Sequence, residues 1–427
     1  MCNVRALPFR HGRPCFLVVT SEQAWPERLS GFLAEYFRLT PAEIEVTRWL
    51  AAGGTVGAIA QATRRSAGTI RSQLHSILDK TGTASQADLV RLIGLLRQSV
   101  DIELSPQPID VPSEPHHEFI RLRDGRRLEV LSFGDPEGAP VVRLQTYYGY
   151  FRFPWSAERD LARRGLRVIV PIRAGWAGSD PAPRGRDVLE VAVSDTREMM
   201  ARFGLGPAVV LSMGDDIRVA LMLAQAAPAD VRHIVSVGSG FPILNDAHYR
   251  RLMPVTRFVR TCARYEPRIL PFMTKAFRLT MLRYGIERYL RGMLASTSPA
   301  DACAFSDPEV MEAVVAGTGY MFGHDSRMEA TVATEIRRFH EAWPEGLGRV
   351  SCPVTLIHGA QDGNAPLATA LDYCALHPDW RLIQYPDDGQ LVGYVRWREV
   401  LDFVGEAAGA APRKAREATQ IAVLEEP

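Results

Sequence analysis

Between Val141 and Tyr385 the chain alternates short apolar runs with longer stretches of helical texture. The runs are Val141 to Gln145, Val168 to Pro171, Ala208 to Leu211, His233 to Val237, Val354 to Ile357 and Leu382 to Tyr385. Apolar runs so short, bounded by turn signals, read as strands buried on both faces. Helix-length connections between them imply a parallel arrangement, since a strand reaches a parallel neighbour only through a crossover. The expected fold is therefore α/β, a doubly wound and mostly parallel sheet. Ahead of it, Phe119 to Arg123 and Arg127 to Ser132 flank Asp124-Gly125 and read as an antiparallel pair. From about residue 242 to 343 amphipathic stretches such as Val255 to Arg264 and Glu309 to Ala316 replace the strands, as in a helical cap over the strand ends.

A chain of 427 residues exceeds what one apolar core supports, so two or three domains are expected. Its 50 Lys and Arg against 49 Asp and Glu leave a net charge of +1, which gives no global attraction to nucleic acid or anionic membrane; any DNA contact must come from a local patch. Cys2, Cys15, Cys262, Cys303, Cys352 and Cys374 are scattered without paired spacing, so reduced, buried thiols are expected, with no metal site and no cofactor. Arg5, Arg10, His11 and Arg13 interrupt the N-terminus, and no apolar stretch is long enough to span a bilayer, so a cytoplasmic protein without a membrane partner is expected.

Before the sheet lie a lead segment, 1–38, a small helical domain, 39–100, and a semi-rigid linker, 101–117, with four prolines; the sheet domain spans 118–410 and a flexible tail 411–427. In the lead segment Cys15 to Thr20 reads as a strand and Pro26 to Phe37 as a helix. Thr40, Pro41 and Glu43 form a capping-box pattern opening a helix to about Ala52. A short helix, Val56 to Ala62, follows; Ser66 then caps a third in which Ile70, Leu74, Ile77 and Leu78 share one face, and Gln86 to about Arg97 forms a fourth. With Leu39-Thr40-x-x-Glu43-x-Glu45-Val46, Ile59-Ala60, Ser66-x-x-Thr69-Ile70-Arg71-x-x-Leu74 and Ile77-Leu78-x-Lys80-x-Gly82 in order, this stretch resembles the LuxR-type helix-turn-helix. Gly57 and Ala58 stand where that family usually has a charged pair. The resemblance implies double-stranded DNA as a partner. The polar face of the third helix, Thr69, Arg71, Ser72 and His75, would lie in the major groove, with Arg71 reading a base edge; Arg64, Arg65 and Lys80 would hold phosphates. One short helix reads few base pairs, so a homodimer is expected; Leu89, Leu92, Ile93 and Leu96 form an apolar face that serves equally well as its local contact or as core packing.

Residues 118–405 resemble the α/β hydrolases, through the strand order and the loop Pro171-x-Arg173-Ala174-Gly175-Trp176-x-x-Ser179-Asp180. In that family a strand, a sharp turn and a helix lift a nucleophile between two small residues. Here Ser212-Met213-Gly214-Asp215-Asp216 puts Ser212 at the leading small position and Gly214 at the nucleophile, unless the register slips to make Ser212 the nucleophile. Asp362 occupies the acid position and Gln390 the histidine position, where an amide cannot shuttle protons near neutral pH. The oxyanion loop reads Gln145-Thr146-Tyr147-Tyr148-Gly149. The resemblance thus implies a degenerate, esterase-like site whose pocket, lined by Tyr147, Tyr148, Trp176, Met213, Asp215, Phe241 and Gln390, accepts a small organic ligand. The expected function is a DNA-binding transcriptional regulator with a ligand-sensing hydrolase-like domain. The alternative is an active serine or Asp-nucleophile hydrolase tethered to a DNA-binding domain.

Overall fold

The computed structural model describes residues 2–7, 15–20, 25, 27–99, 115–145, 149–243, 245–323, 328–339 and 341–410. The chain divides into two compact units, 1–106 together with 264–285, and 107–263 together with 286–427. Much of the linker and the whole 411–427 tail lie outside the described residues.

The smaller unit begins with two antiparallel strands, β1 (Cys2–Leu7) and β2 (Cys15–Thr20), followed by α1 (Glu27–Tyr36), α2 (Pro41–Ala51), α3 (Val56–Thr63), α4 (Ala67–Thr81) and α5 (Gln86–Ser99). Local chemistry explains the helix ends. Thr40 Oγ1 accepts from the Glu43 amide while the Glu43 carboxylate accepts from the Thr40 amide, closing the capping box. Thr55 and Ser66 cap α3 and α4 by accepting from backbone amides of the first turn, and Gly82, at φ +61°, ends α4 in the left-handed conformation that glycine adopts without strain.

One apolar core joins Leu29, Phe32 and Leu33 of α1 to Val46, Leu50, Ile59, Ile70 and Ile77. The lead segment is therefore not a separate piece. The apolar face of α1 is buried only because the helices after it supply the opposing surface. The core also takes Ala276 and Leu279 from a helix inserted far along the chain, Leu270–Tyr284. The expected cap from 242 to 343 is thus interrupted: residues 264–285 group with the N-terminal helices.

The larger unit holds an eight-stranded sheet of β3 (His116–Arg121), β4 (Arg127–Gly134), β5 (Ala139–Arg143), β6 (Leu166–Ile172), β7 (Ala208–Met213), β8 (Val231–Val237), β9 (Val354–Gly359) and β10 (Arg381–Tyr385), in the order β10-β9-β8-β7-β5-β6-β4-β3. β4 pairs antiparallel with β3 and β6, and every other pair is parallel. β7 lies between β5 and β8, and all six of its residues are buried. Helices Val188–Phe203 and Ile217–Ala226 cover one face through Leu189, Met199, Ile217 and Leu221. Of the cysteines, Cys262 and Cys352 are buried and Cys374 partly so, as free thiols, whereas Cys303 is exposed. No helix among the described residues is long and apolar enough to cross a membrane.

Candidate nucleic-acid interface and candidate ligand site

On α4, Ile70 and Ile77 are fully buried, and Leu74 and Leu78 pack against the same core. The helix therefore turns Thr69, Arg71, Ser72 and His75 outward, all of them exposed. His75 stands 3.6 Å from Asp79 on the same face. Arg64 is exposed at the left-handed C-cap of α3, φ +55°, and Arg65 lies 3.6 Å from Glu45. Lys80 has a different environment from the phosphate contact expected of it. Its ammonium donates to both oxygens of Glu43, at 2.8 and 2.7 Å, and Ser76 Oγ donates to the same carboxylate. Burial works to raise the Glu43 pKa, but Lys80 and the Thr40 amide outweigh it and hold the group at about 2. The capping residue of α2 is thus also the anchor of α4, a role that a local motif cannot reveal.

The expected dimer face of α5 is occupied: Leu89, Leu92, Ile93 and Leu96 are buried in the core that includes Ala276 and Leu279.

In the larger unit, β7 runs into a short turn, Gly214–Asp216, and then the helix Ile217–Ala226. Gly214 has φ +60°, and among the described residues a Cβ built there meets no atom within 4 Å. The backbone at 214 thus takes a conformation that glycine alone adopts freely, and it faces open space. Ser212, in contrast, is buried at 1% exposure within β7, and among the described residues its Oγ has no hydrogen-bond partner.

The ends of the next three strands converge on this turn. The Gly240 amide, after β8, donates to the Gly214 carbonyl at 3.0 Å, and Asp215 lies against Gly240 and 3.7 Å from Arg260. Asp362, after β9, accepts from the amides of Asn364 and Ala365, both at 2.8 Å. Burial drives its pKa up, those amides oppose the shift, and the charges of Asp301 and Asp215 add to it, leaving Asp362 at about 8. Gln390, after β10, accepts from Asn364 Nδ2, while its own Nε2 has no partner among the described residues. Asp301 accepts from the Leu391 amide at 3.1 Å, so the loop carrying Gln390 is held by the helix Pro299–Ala304. His358 is buried with Nε2 at 2.6 Å from the Ala365 carbonyl; burial lowers its pKa, and its place is inside the sheet.

Beneath the turn is a network the sequence only half announced. Arg173 donates to Asp216 at 2.5 Å and to both oxygens of Glu335, at 3.1 and 3.0 Å, and to the Gln145 carbonyl at 2.8 Å. Arg173, Asp216 and Glu335 are all buried. Burial raises Asp216 against the pull of Arg173, with Glu335 adding to the rise, to about 7. Trp176 donates its indole N–H to Glu335 at 3.1 Å and is fully buried, which makes it part of this support. Phe241 stacks on Tyr373 at 4.4 Å between ring centres inside the core, and Met213 packs with Tyr150, Leu290 and Tyr394. Tyr147 and Tyr148 lie outside the described residues. Asp215, Asp362 and Gln390 are the expected residues that meet at the strand ends.

The architecture defines a helix-turn-helix in which α4 exposes a polar face, carried on the same chain as an α/β-hydrolase-fold unit. Residues 38–93 match the family described as bacterial regulatory proteins, luxR family, and form a LuxR-type DNA-binding domain. No curated protein matches the chain by sequence. Among solved structures, a carboxylesterase from Nitrososphaera gargenis superposes with a TM-score of 0.50 at 14% identity, covering 68% of this chain and 99% of its own, and it shares the α/β-hydrolase fold. An epoxide hydrolase from Vigna radiata gives a TM-score of 0.48 at 17% identity, covering 69% of this chain and 97% of its own.

Proposed function

We propose that this chain is a transcriptional regulator whose α/β-hydrolase-fold unit binds a small organic ligand without turning it over. The observation that carries the reading is Gly214: the position that would present a nucleophile has no side chain and faces open space. Gln390 supports it. An amide tied to Asn364 stands where a proton shuttle is required, so neither nucleophile nor base is present in the family's order. A pocket at the strand ends is a property of the fold, whereas a reaction depends on a few grafted groups, so loss of the chemistry is compatible with recognition.

The reading is tested by turnover of p-nitrophenyl acetate and longer-chain esters with the purified chain, Ser212→Ala and Asp362→Ala. All three are expected to remain at the uncatalysed rate. Gly214→Ser alone is expected to be inactive, because triad members act as a unit, and Gly214→Ser with Gln390→His to be weak at best. Robust turnover by the unmodified chain, abolished by Ser212→Ala, would make the tethered hydrolase the better account. In parallel, a thermal-shift screen of small organic acids, esters and lactones is expected to find a compound that raises the melting midpoint.

A further inference from the structure

The last residue of β5, Arg143, is buried inside the larger unit. It stands in register with Leu211 of β7, so the two side chains share the face of the sheet that the helix Trp397–Ala408 covers. Its guanidinium donates to the carbonyl of Tyr150 at 2.8 Å and, more weakly, to that of Arg152 at 3.5 Å, and it lies 3.9 Å from the centre of the Phe153 ring. Dipoles and a ring face compensate a charge only in part.

A buried cation ordinarily has an acid beside it. Among the described residues none is within ion-pair distance of Arg143. Glu158, whose charge it feels, is committed to Arg152, accepting from Nε at 2.7 Å and Nη2 at 3.0 Å, and takes the Phe153 amide as well. Burial lowers the pKa of Arg143, yet a guanidinium keeps its proton in a protein. The fold therefore carries a desolvated positive charge without a carboxylate of its own.

Beside it is a cavity of about 20 Å³, bordered by Arg143 and Tyr394 and walled by Phe153, Leu211, Val237 and Trp397. The Tyr394 hydroxyl is buried and has no hydrogen-bond partner among the described residues. Burial raises its pKa while the charge of Arg143 pulls against the rise, so the phenol stays protonated and is a donor. The space exceeds the roughly 10 to 15 Å³ that one water needs, and it is far too small for a larger organic molecule. Water would satisfy the hydroxyl but bring no charge. An anion does both, and because the guanidinium is already desolvated in the folded chain, its attraction acts across a medium of low dielectric constant. We propose that this cavity binds one small monovalent anion, a halide or a carboxylate, held by the Arg143 guanidinium and the Tyr394 hydroxyl. The same guanidinium holds the carbonyls of Tyr150 and Arg152, so the bound anion also steadies the segment that follows the oxyanion-loop position.

The melting midpoint of the full chain tests it, with sodium gluconate, too bulky for the cavity, replaced stepwise by sodium chloride or sodium formate. Holding ionic strength fixed keeps the screening of surface charges constant. The midpoint is expected to rise by about 2 to 5 °C once the anion is about tenfold above its dissociation constant, because a ligand that binds only the folded state stabilises it. A larger response to formate than to chloride identifies a carboxylate site, and the reverse order a halide site. Arg143→Met, which keeps an unbranched apolar stem and removes the charge, is expected to abolish the response. Tyr394→Phe removes one donor and leaves the ring, and its response is expected to need about tenfold more anion or beyond. Arg159→Gln, at an exposed arginine of the helix Trp155–Arg163, is expected to respond as the unmodified chain does. The proposal fails if the unmodified chain melts alike in all three salts, or if Arg143→Met responds as it does. An unshifted response in Tyr394→Phe overturns it as well, and that variant decides alone if Arg143→Met does not fold. These measurements need neither DNA, an organic ligand nor ester turnover, so failure here leaves the regulator reading to its own test.

Discussion

Asp362 carries the most perturbed environment among the expected site residues, because its carboxyl is buried near two other acids and is compensated only by backbone amides. Its folded pKa, about 8, lies above the ordinary 3.8, so the folded state holds a proton that the unfolded chain has released across that interval. The contribution to stability is thus greatest below pH 4 and is lost as pH rises toward 8, by about 1.4 kcal/mol for each step of one in pH. Asp362→Asn keeps an oxygen for both amides and removes the titration. Its melting midpoint is expected to fall less between pH 5 and 8 than that of the unmodified chain, and parallel curves for the two would refute the buried acid. On α4, Arg71 is the exposed guanidinium set between Ser72 and the buried Ile70. Arg71→Ala is expected to cost about 1 to 3 kcal/mol against a DNA site selected from a random pool, and to relax sequence preference at one position.

Helices α2 and α4 are joined by one carboxylate, Glu43, which caps the first and holds Ser76 and Lys80 of the second. This arrangement ties α4 to α2, and it redirects the expected effect of changing Lys80. Because its ammonium is committed to Glu43, Lys80→Ala is expected to loosen the α2–α4 pair by about 1.5 to 3 kcal/mol, the range for a hydrogen bond to a charged group. The slope of DNA affinity against salt is expected to change little. Hydrogen exchange of α4 and a salt titration of DNA binding separate the two effects; a slope reduced by about one with α4 unaltered would return Lys80 to the phosphate role.

At the scale of the molecule, the chain builds two apolar cores from interleaved stretches of sequence, one from the N-terminal helices with the inserted helix and one around the sheet. Each core is expected to respond to its own substitutions. Arg173→Met leaves Asp216 and Glu335 buried without a cation, and removing one partner from a buried ion pair costs about 3 to 5 kcal/mol. The melting of the sheet unit is expected to drop accordingly, while amides of α2 and α4 keep their protection at temperatures below that transition. Equal loss of protection in both would mean that the two cores unfold as one.

Much of this architecture is local and is legible from residues alone. The Thr40–Glu43 box, the Ser66 cap, the Gly82 stop and the strand-turn-helix at Gly214 depend on hydrogen bonds and dihedral preferences within a few residues, and the alternation of strands and helices depends on short periods of apolar character. Gly214 stands in the turn after β7 with a positive φ. What tertiary structure decided are the pairings between distant segments. Lys80 meets Glu43 from 37 positions away, Glu335 meets Arg173 from 162, and the helix Leu270–Tyr284 packs on α5 from the middle of what reads as a continuous cap. No local period encodes them. Each amphipathic face specifies only that it must be covered, and charged groups specify only that burial requires a partner; which surface supplies the cover emerges when the whole chain closes on itself.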